Sequence, residues 1–345
     1  MGRDAHRTRT TGVSLMSVLG ENPRAGRGAQ RGAGRYAPSP SGDLHLGNLR
    51  TALLAWAYAR KSGRDFYLRV EDLDERSRPE HEASQLRDLE AIGLDWDGSI
   101  MRQSERLDFY EGIFEQLRGR GQLYECYCTR KELAQVASAP HRPPGSYPGT
   151  CRNLTEAERE AGRAKLAATN RGPALRLLTD VSELAVTDEN YGDYTGGVDD
   201  LVIRRGDGVY SYNFVSVVDD GEMGVDQIVR GDDLLPSVPR QVYLQRVLGY
   251  ETPKYAHVPL VLNAQGVRLA KRDGAVTLGR LREYGWSAAD VVELLAGSLG
   301  YKDVRSAAEL LEVFDPARLQ SAEAREPWKV DVDTLGLGPD SHLGN

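Results

Sequence analysis

The sequence has no long hydrophobic run and few cysteines, and each absence excludes a class of protein. No segment approaches the roughly 18 uncharged apolar residues of a membrane span, so none is predicted. Three cysteines in 345 residues are an odd number and too few for a disulfide scaffold, which favours a reducing compartment and predicts a cytoplasmic protein. The net charge of −7 excludes a globally basic surface, although a local basic stripe would still suffice for phosphate contacts.

Residues 1–33 differ from the rest of the chain. They are rich in Arg and Gly, poor in acidic residues and without hydrophobic periodicity. A transit peptide would share this bias, but we expect a disordered extension, or an upstream start with Met16 as the true first residue. The remaining composition, 40% hydrophobic and 28% charged over the whole chain, is ordinary for a soluble globular protein, which we expect to be a monomer.

Strand and helix patterns alternate after residue 34. Arg35–Ala37 end a short strand, and the alternation of Phe66, Leu68 and Val70 predicts a second strand within 63–74. Helices are predicted at 49–61, 80–92, 105–119, 237–249, 286–299 and 306–312, and further strands at 200–205, 209–218 and 225–230. This order favours an α/β fold with a parallel sheet and right-handed crossovers. Residues 124–175 break the rhythm and read as an insertion.

The turn SPSGDLHLGNLRTALLAW (39–56) carries the first chemical signal. Gly42 and Gly47 let backbone approach a ligand, and Asn48 or Gly47 can cap the following helix, whose N-terminus favours phosphate oxygens. His45 adds a side-chain donor for charge that develops on a phosphate. Neither a Gly-x-x-x-x-Gly-Lys loop nor Gly-x-Gly-x-x-Gly is present. Taken alone, such a histidine more often merely completes a turn.

Several ordered segments place the turn in a family. RYAPSPSGDLHLGNLRTALLAWAYAR (35–60) resembles the HIGH signature of class I aminoacyl-tRNA synthetases, here HLGN, and GVRLAKRDGAV (266–276) resembles their KMSKS loop, here RLAKR. Three more segments resemble the glutamyl branch: YLRVEDLDERS (67–77), YSYNFVSVVDD (210–220) and IVRGDDLLPSVPRQ (228–241). The resemblance implies a Rossmann-like catalytic domain that activates glutamate with ATP, with Mg²⁺ as the expected metal partner of the nucleotide.

The resemblance also implies the site residues. His45 and Lys271 stabilise charge on the ATP phosphates, and Gly47 and Asn48 contact the nucleotide. The expected glutamate-binding residues are Arg35, Tyr36, Ala37, Pro38, Ser39, Glu71, Tyr212 and Arg230. The two arginines suit bidentate recognition of a carboxylate, and Glu71 suits the substrate ammonium. The bland alternatives are a weak surface ion pair between Arg35 and Glu71, or a solvated acidic face around Glu71.

All three cysteines lie in the insertion. Cys126 and Cys128 stand in YECYCTRKEL (124–133), and Cys151 follows PPGSYPGT. Two close thiolates and one distant one are typical of structural Zn²⁺, which needs a fourth ligand; His141 is the chemically usual choice. The alternative is three buried, reduced cysteines.

The insertion and the short C-terminal region narrow the resemblance. Only 74 residues follow Lys271, too few for the large anticodon-binding region of an ordinary glutamyl-tRNA synthetase. The chain resembles the glutamyl-Q tRNA(Asp) synthetase family, whose Cys-x-Cys…Tyr-x-x-x-Cys pattern implies Tyr147 as the fourth zinc ligand, with His141 in reserve. That family implies transfer of glutamate to queuosine in the anticodon of tRNA(Asp). A truncated glutamyl-tRNA synthetase that charges an ordinary acceptor end and a non-catalytic RNA-binding paralogue remain alternatives.

The resemblance implies five regions. They are a disordered extension (1–33), the first half of the catalytic domain (34–123), an inserted zinc-binding and acceptor-contacting module (124–175), the second half with the KMSKS-like loop (176–280) and a helical C-terminal region (281–345).

Overall fold

A mostly parallel sheet organises the part of the chain that the computed structural model describes, which comprises residues 31–129, 131–133, 146–267, 269, 276–331 and 335–337. In chain order its strands are β1 (Ala33–Tyr36), β2 (Asp65–Val70), β3 (Met101–Arg102), β6 (Glu183–Asp188), β7 (Gly192–Gly197), β9 (Val225–Gly231) and β10 (Lys254–Val258). Their spatial order is β3-β2-β1-β9-β10-β6-β7. Every neighbouring pair is parallel except the antiparallel hairpin β6–β7. The predicted parallel α/β sheet is therefore confirmed.

Helices join these strands and supply most of the core. They are α1 (Leu46–Lys61), α2 (Pro79–Ala91), α3 (Leu107–Gly119), α4 (Glu156–Ala167), α5 (Tyr212–Glu222), α6 (Val238–Leu248), α7 (Leu278–Glu283), α8 (Ala288–Gly297) and α9 (Ala307–Val313). Adjacent strand residues point to opposite faces of a sheet, and accordingly Tyr255 and Ala256 belong to different core clusters. One cluster contains α1, α8 and α9, and the other contains α3, α5 and α6. None of the helices in the described residues has the length and apolarity needed to cross a membrane.

The strand predicted at 209–218 is wrong, because helix α5 begins at Tyr212. Ser211 caps this helix, since its side chain accepts a hydrogen bond from the backbone nitrogen of Phe214. Phe214, Val217 and Val218 recur at helical spacing and are buried. The valines within 209–218 favour the prediction of a strand only when the helical spacing of the buried residues is not considered.

A smaller antiparallel sheet contains the cysteine-bearing segment. Its strands β4 (Leu123–Cys126), β5 (Ala174–Leu177) and β8 (Val202–Arg204) pair in the order β4-β5-β8. The expected boundary between the inserted module and the second half of the catalytic domain, between residues 175 and 176, thus falls within β5. Strand β8, which belongs to the expected second half of the catalytic domain, also pairs into this small sheet.

The C-terminal region returns to the body of the protein. Helices α8 and α9 lie close to the two predicted ones, whereas α7 and strand β12 (Trp328–Val330) were not predicted. Strand β12 pairs in parallel with β11 (Val261–Asn263), which precedes the KMSKS-like segment. Strand β12 therefore lies beside the strand that leads into that segment.

Candidate functional site

His45 is the N-cap of helix α1, so the expectation that Asn48 or Gly47 caps it is wrong. Nδ1 of His45 accepts hydrogen bonds from the backbone nitrogens of Gly47 at 3.1 Å and Asn48 at 3.3 Å, and the side chain of Asn48 accepts one from the His45 backbone nitrogen at 3.2 Å. The helix starts at Leu46 because this reciprocal cap satisfies its first backbone donors. An accepting Nδ1 requires the ring proton on Nε2, which makes Nε2 the donor atom of His45.

Gly47 is required by the histidine ring itself. A Cβ at this position would lie 3.0 Å from Cε1 of His45 and 3.3 Å from Cβ of Val261. The sequence predicts that Gly47 admits a ligand to the backbone, but in the structure the imidazole occupies the space beside it.

The two ends of the KMSKS-like segment lie beside this turn. The backbone nitrogen of Leu46 donates to the carbonyl of Val276 at 2.9 Å, and His45 and Thr277 form a β-bridge. Nearer the start of the segment, the backbone nitrogen of the buried Leu269 donates to the carbonyl of Val261 at 3.5 Å, and Val261 is the residue that faces Gly47. Lys271 itself lies outside the described residues.

Arg35 and Glu71 are tied together by a buried ion network rather than by a surface pair. Nε of Arg35 lies 3.1 Å from Oδ1 of Asp220, and Nη1 of Arg69 lies 2.7 Å from the same oxygen. The other end of Arg69 donates to Glu71 at 2.9 Å, and Ser216 donates to the same carboxylate oxygen at 3.2 Å. Arg69 is fully buried. Breaking such a network would leave charges buried without partners, which makes it a rigid support for both predicted residues.

The electrostatics of the network are set by burial and by the two arginines. Burial raises the pKa of Glu71 above its ordinary value, although Arg69 and Arg35 oppose this shift. Burial alone would also raise the pKa of Asp220, but Arg35 and Arg69 outweigh it and the pKa lies below its usual range. With its side chain only 11% exposed, Glu71 is not part of a solvated acidic face.

Residues 36–39 lie in the chain segment that leads from the end of β1 to the start of α1. Tyr36 is buried and its hydroxyl donates to the Asn48 carbonyl at 3.3 Å, while Ala37 is half-buried. Pro38 accepts a hydrogen bond from the Glu71 backbone at 2.9 Å, and the exposed Ser39 is held through its carbonyl by Gln85.

Tyr212 faces the same group of charges at the start of α5. Desolvation of its hydroxyl raises the pKa, the charge of Glu71 adds to this, and Arg230 and Arg35 oppose it. The phenol, 43% exposed, therefore lies within electrostatic reach of Glu71, Arg230 and Arg35. The structure thus brings Arg35, Glu71, Tyr212 and Arg230 into one neighbourhood.

Arg230 is buried at the end of β9 and is held by neutral acceptors. Its Nε donates to Nε2 of His257 at 3.1 Å, and its Nη2 donates to Oε1 of Gln241 at 2.8 Å. Gln241 in turn donates to Asn213 on helix α5 at 3.0 Å. These bonds connect the arginine to the helix that begins with Tyr212.

Several supporting residues were missed at the level of sequence. They are Arg69, Asp188, Asp219, Asp220 and His257. The available signal was charge in otherwise apolar strands and helices: a buried charged side chain requires a partner, and YLRVED and VVDD carry complementary charges.

The three cysteines form a compact group that can hold a metal ion. Their sulfur atoms all lie within 4.8 Å of one another, and the sulfurs of Cys128 and Cys151 are 3.6 Å apart. A zinc–sulfur bond of about 2.3 Å gives a tetrahedral edge of roughly 3.8 Å, which this spacing fits. The hydrogen bond with Cys151, helped by nearby Arg176, lowers the pKa of Cys126, whereas that same hydrogen bond raises the pKa of Cys151 and burial raises that of Cys128, so Cys126 forms the thiolate most readily.

The hydroxyl of Tyr147 lies at the same point. It is 3.5 Å from the sulfur of Cys126, and hydrogen bonding with it affects the pKa of each of the three cysteines. The guanidinium of Arg176 stacks 3.6 Å from the centre of the Tyr147 ring, which fixes the ring in place. His141 lies outside the described residues.

Comparison with known proteins agrees with this arrangement. Residues 33–335 match the family described as tRNA synthetases class I (E and Q), catalytic domain. The chain is 59% identical over 297 residues to the glutamyl-Q tRNA(Asp) synthetase of Nocardia farcinica, covering 86% of this chain and 92% of that protein. It is 45% identical over 323 residues to that of Symbiobacterium thermophilum, covering 88% and 97%.

Among solved structures, a glutamate tRNA ligase from Elizabethkingia meningosepticum, in complex with its amino acid, superposes with a TM-score of 0.71 at 26% identity. The match covers 89% of this chain but 68% of the ligase chain. The chain belongs to the glutamyl-Q tRNA(Asp) synthetases, a family of ligases within the class I tRNA synthetases.

Proposed function

We propose that this chain activates L-glutamate with ATP to form glutamyl-adenylate and transfers the glutamyl group to queuosine in the anticodon of tRNA(Asp). The observation that carries the proposal is that Arg35, Glu71 and Arg230 lie at the carboxyl ends of β1, β2 and β9, within electrostatic reach of Tyr212, and that the helix capped by His45 follows β1. In an open parallel sheet this edge is where ligands bind.

In the amino-acid pocket, Arg230 takes a carboxylate of the substrate and Glu71 takes its ammonium group. Arg35, whose charge is largely balanced by Asp220, lies beside the substrate carboxylates, and Tyr212 contributes a hydroxyl. The backbone and side chains of residues 36–39 close the pocket between β1 and α1. A guanidinium for a carboxylate and a carboxylate for the ammonium group explain selection of an acidic amino acid over its amide.

In the activation step, the α-carboxylate oxygen of glutamate attacks the α-phosphorus of ATP and pyrophosphate departs. The Nε2 proton of His45 and the positive end of the α1 dipole stabilise charge on the phosphates, and Lys271 serves the same purpose from the other side. Mg²⁺ bound with the nucleotide would neutralise part of the phosphate charge. A hydroxyl of the modified nucleoside then attacks the activated carbonyl and AMP departs.

Cys126, Cys128, Cys151 and Tyr147 would hold one structural zinc ion. The three sulfurs within 4.8 Å of one another, with the Tyr147 hydroxyl 3.5 Å from that of Cys126, support this assignment. A metal at this point would tie the start of the insertion at β4 to the turn before α4.

The competing function keeps the chemistry and changes the acceptor to the end of an ordinary tRNA. The comparisons favour queuosine: the relatives matched at 59% and 45% identity are glutamyl-Q tRNA(Asp) synthetases. Purified enzyme, ATP and labelled glutamate should label tRNA(Asp) that contains queuosine and leave the queuosine-free transcript unlabelled. Equal labelling of the two would reject the proposed acceptor, and no glutamate-dependent ATP–pyrophosphate exchange would reject catalysis altogether.

A further inference from the structure

Two buried side chains stand behind Arg230 and take no part in the steps above. Nε2 of His257 accepts the hydrogen bond from Nε of Arg230, and Nδ1 of His257 lies 2.6 Å from Oδ2 of Asp188. A guanidinium can only donate, so Nε2 is unprotonated and Nδ1 carries the proton that is donated to Asp188. His257 is 0% exposed and Asp188 is 2% exposed, which shields the whole chain of hydrogen bonds from water.

The sheet fixes both ends of this chain. His257 lies directly opposite Arg230 in the register of the parallel strands β10 and β9. Asp188 ends strand β6 and also accepts hydrogen bonds from the backbone nitrogens of His257, Asn190 and Tyr191 at 2.9 to 3.2 Å. The carboxylate is therefore anchored by backbone atoms, and the imidazole is oriented between two fixed points.

Arg35 and Arg230 differ in the charge of their partners, because a neutral histidine stands beside Arg230 where a carboxylate stands beside Arg35. Arg35 is paired directly with the Asp220 carboxylate, which neutralises much of its charge. Arg230 instead has three hydrogen-bond partners in the described part of the chain, and all are neutral: His257, Gln241 and the Leu234 carbonyl. The carboxylate behind His257, Asp188, stands one imidazole away from the guanidinium, so the positive charge of Arg230 stays available to a substrate carboxylate.

We propose that Asp188 and His257 are positioning residues, which orient the Arg230 guanidinium for a glutamate carboxylate without neutralising it. This inference rests on the proposed role of Arg230 in glutamate activation. If Asp188 and His257 position Arg230 in this way, the affinity for glutamate depends on a hydrogen-bond acceptor at the Nε2 position of residue 257, and the affinity for ATP does not.

Two substitutions divide the functions of the imidazole. His257→Asn keeps a donor near the Nδ1 position for Asp188 but is too short to reach Arg230, whereas His257→Gln places an amide oxygen near the Nε2 position. In ATP–pyrophosphate exchange, the KM for glutamate should rise about tenfold or more in His257→Asn, because a hydrogen bond to a charged group is lost. It should rise less than about threefold in His257→Gln, and the KM for ATP should stay unchanged in both.

Tyr58→Phe is the matched control. It removes the 2.9 Å hydrogen bond to Asn190, which itself holds the His257 carbonyl, without touching the path to Arg230. It should lower the melting temperature and leave the KM for glutamate as it is. Equal effects of the two His257 variants, a parallel rise in the KM for ATP, or a Tyr58→Phe effect as large as that of His257→Asn would overturn the proposal.

The inference stays testable if His257→Asn does not fold. The imidazole ¹⁵N signals of the wild-type enzyme should show an unprotonated Nε2 and a protonated Nδ1 at neutral pH, and a proton on Nε2 would overturn the proposal. The wild-type assay separates the two levels of inference. Absent exchange rejects the proposed function, whereas normal wild-type exchange with unaltered variants rejects only the positioning role.

Discussion

Nδ1 of His45 accepts a hydrogen bond from the backbone nitrogen of Gly47 at 3.1 Å, so the expected catalytic ring is also the cap of helix α1. One nitrogen of the imidazole serves the fold and the other is oriented by it. Stability and catalysis at this residue can therefore be separated experimentally.

His45→Asn should retain the cap and lose the catalytic donor. Asparagine is among the best N-cap residues, so the free energy of unfolding should change little, whereas His45→Ala should lose about 1 kcal/mol. Both variants should lower the rate of ATP–pyrophosphate exchange roughly 10²- to 10³-fold, because the Nε2 donor is absent. Urea unfolding together with exchange kinetics measures both effects. Exchange at the wild-type rate in His45→Asn would show that the ring is only a cap.

Gly47→Ala should disturb the ring without removing it. The new methyl group would lie 3.0 Å from Cε1 of His45, so the imidazole must shift and exchange activity should fall at least tenfold. Gly112→Ala is the control, because this position in helix α3 has open space for a methyl group and alanine favours helix by up to about 1 kcal/mol. That control should be as active as wild type and slightly more stable. Full activity in Gly47→Ala would contradict the close packing of ring and backbone.

The sequence was sufficient for the elements with clear periodicity. Strands β1 and β2 and helices α2, α3, α6, α8 and α9 are found close to their predicted positions. The valines of α5 carry strand propensity and favour a strand at 209–218, although the spacing of Phe214, Val217 and Val218 is that of a helix. The partners of Arg69 and His257 could not be assigned from local sequence, since Asp220 on helix α5 and Asp188 at the end of β6 are distant along the chain and meet these residues only in the folded protein.

Metal binding gives a direct test of the fourth ligand. The wild-type chain should contain about one zinc per molecule by elemental analysis. Cys126→Ser should lose it, because removal of one thiolate leaves only three of the four proposed ligands, and such a site binds zinc weakly. Tyr147→Phe should release zinc to a chelator faster than wild type. The neighbouring Tyr127→Phe, whose hydroxyl contacts Glu125 rather than the sulfurs, should not. Faster release from His141→Ala together with unchanged release from Tyr147→Phe would transfer the fourth position to the histidine.

The buried network should make stability depend on pH through Asp220. Asp220→Asn leaves Arg35 and Arg69 short of a buried counter-charge, so the free energy of unfolding at pH 7 should fall by about 3 kcal/mol. Because Arg35 and Arg69 outweigh the effect of burial and lower the folded-state pKa of Asp220, the stabilisation is fully present above the unfolded value of about 3.9. It is then lost as the pH falls through the folded pKa.

The difference in stability between wild type and Asp220→Asn should therefore stay constant between pH 7 and about 5 and shrink below about 4. Asp95→Asn provides the comparison, because Asp95 pairs with Arg60 at 3.1 Å while its side chain is 73% exposed. That surface pair should contribute less than about 1 kcal/mol. Urea unfolding at a series of pH values measures both differences. An Asp220→Asn variant no less stable than Asp95→Asn would mean that the arginines are supported elsewhere, and the network could not be the rigid base of the pocket.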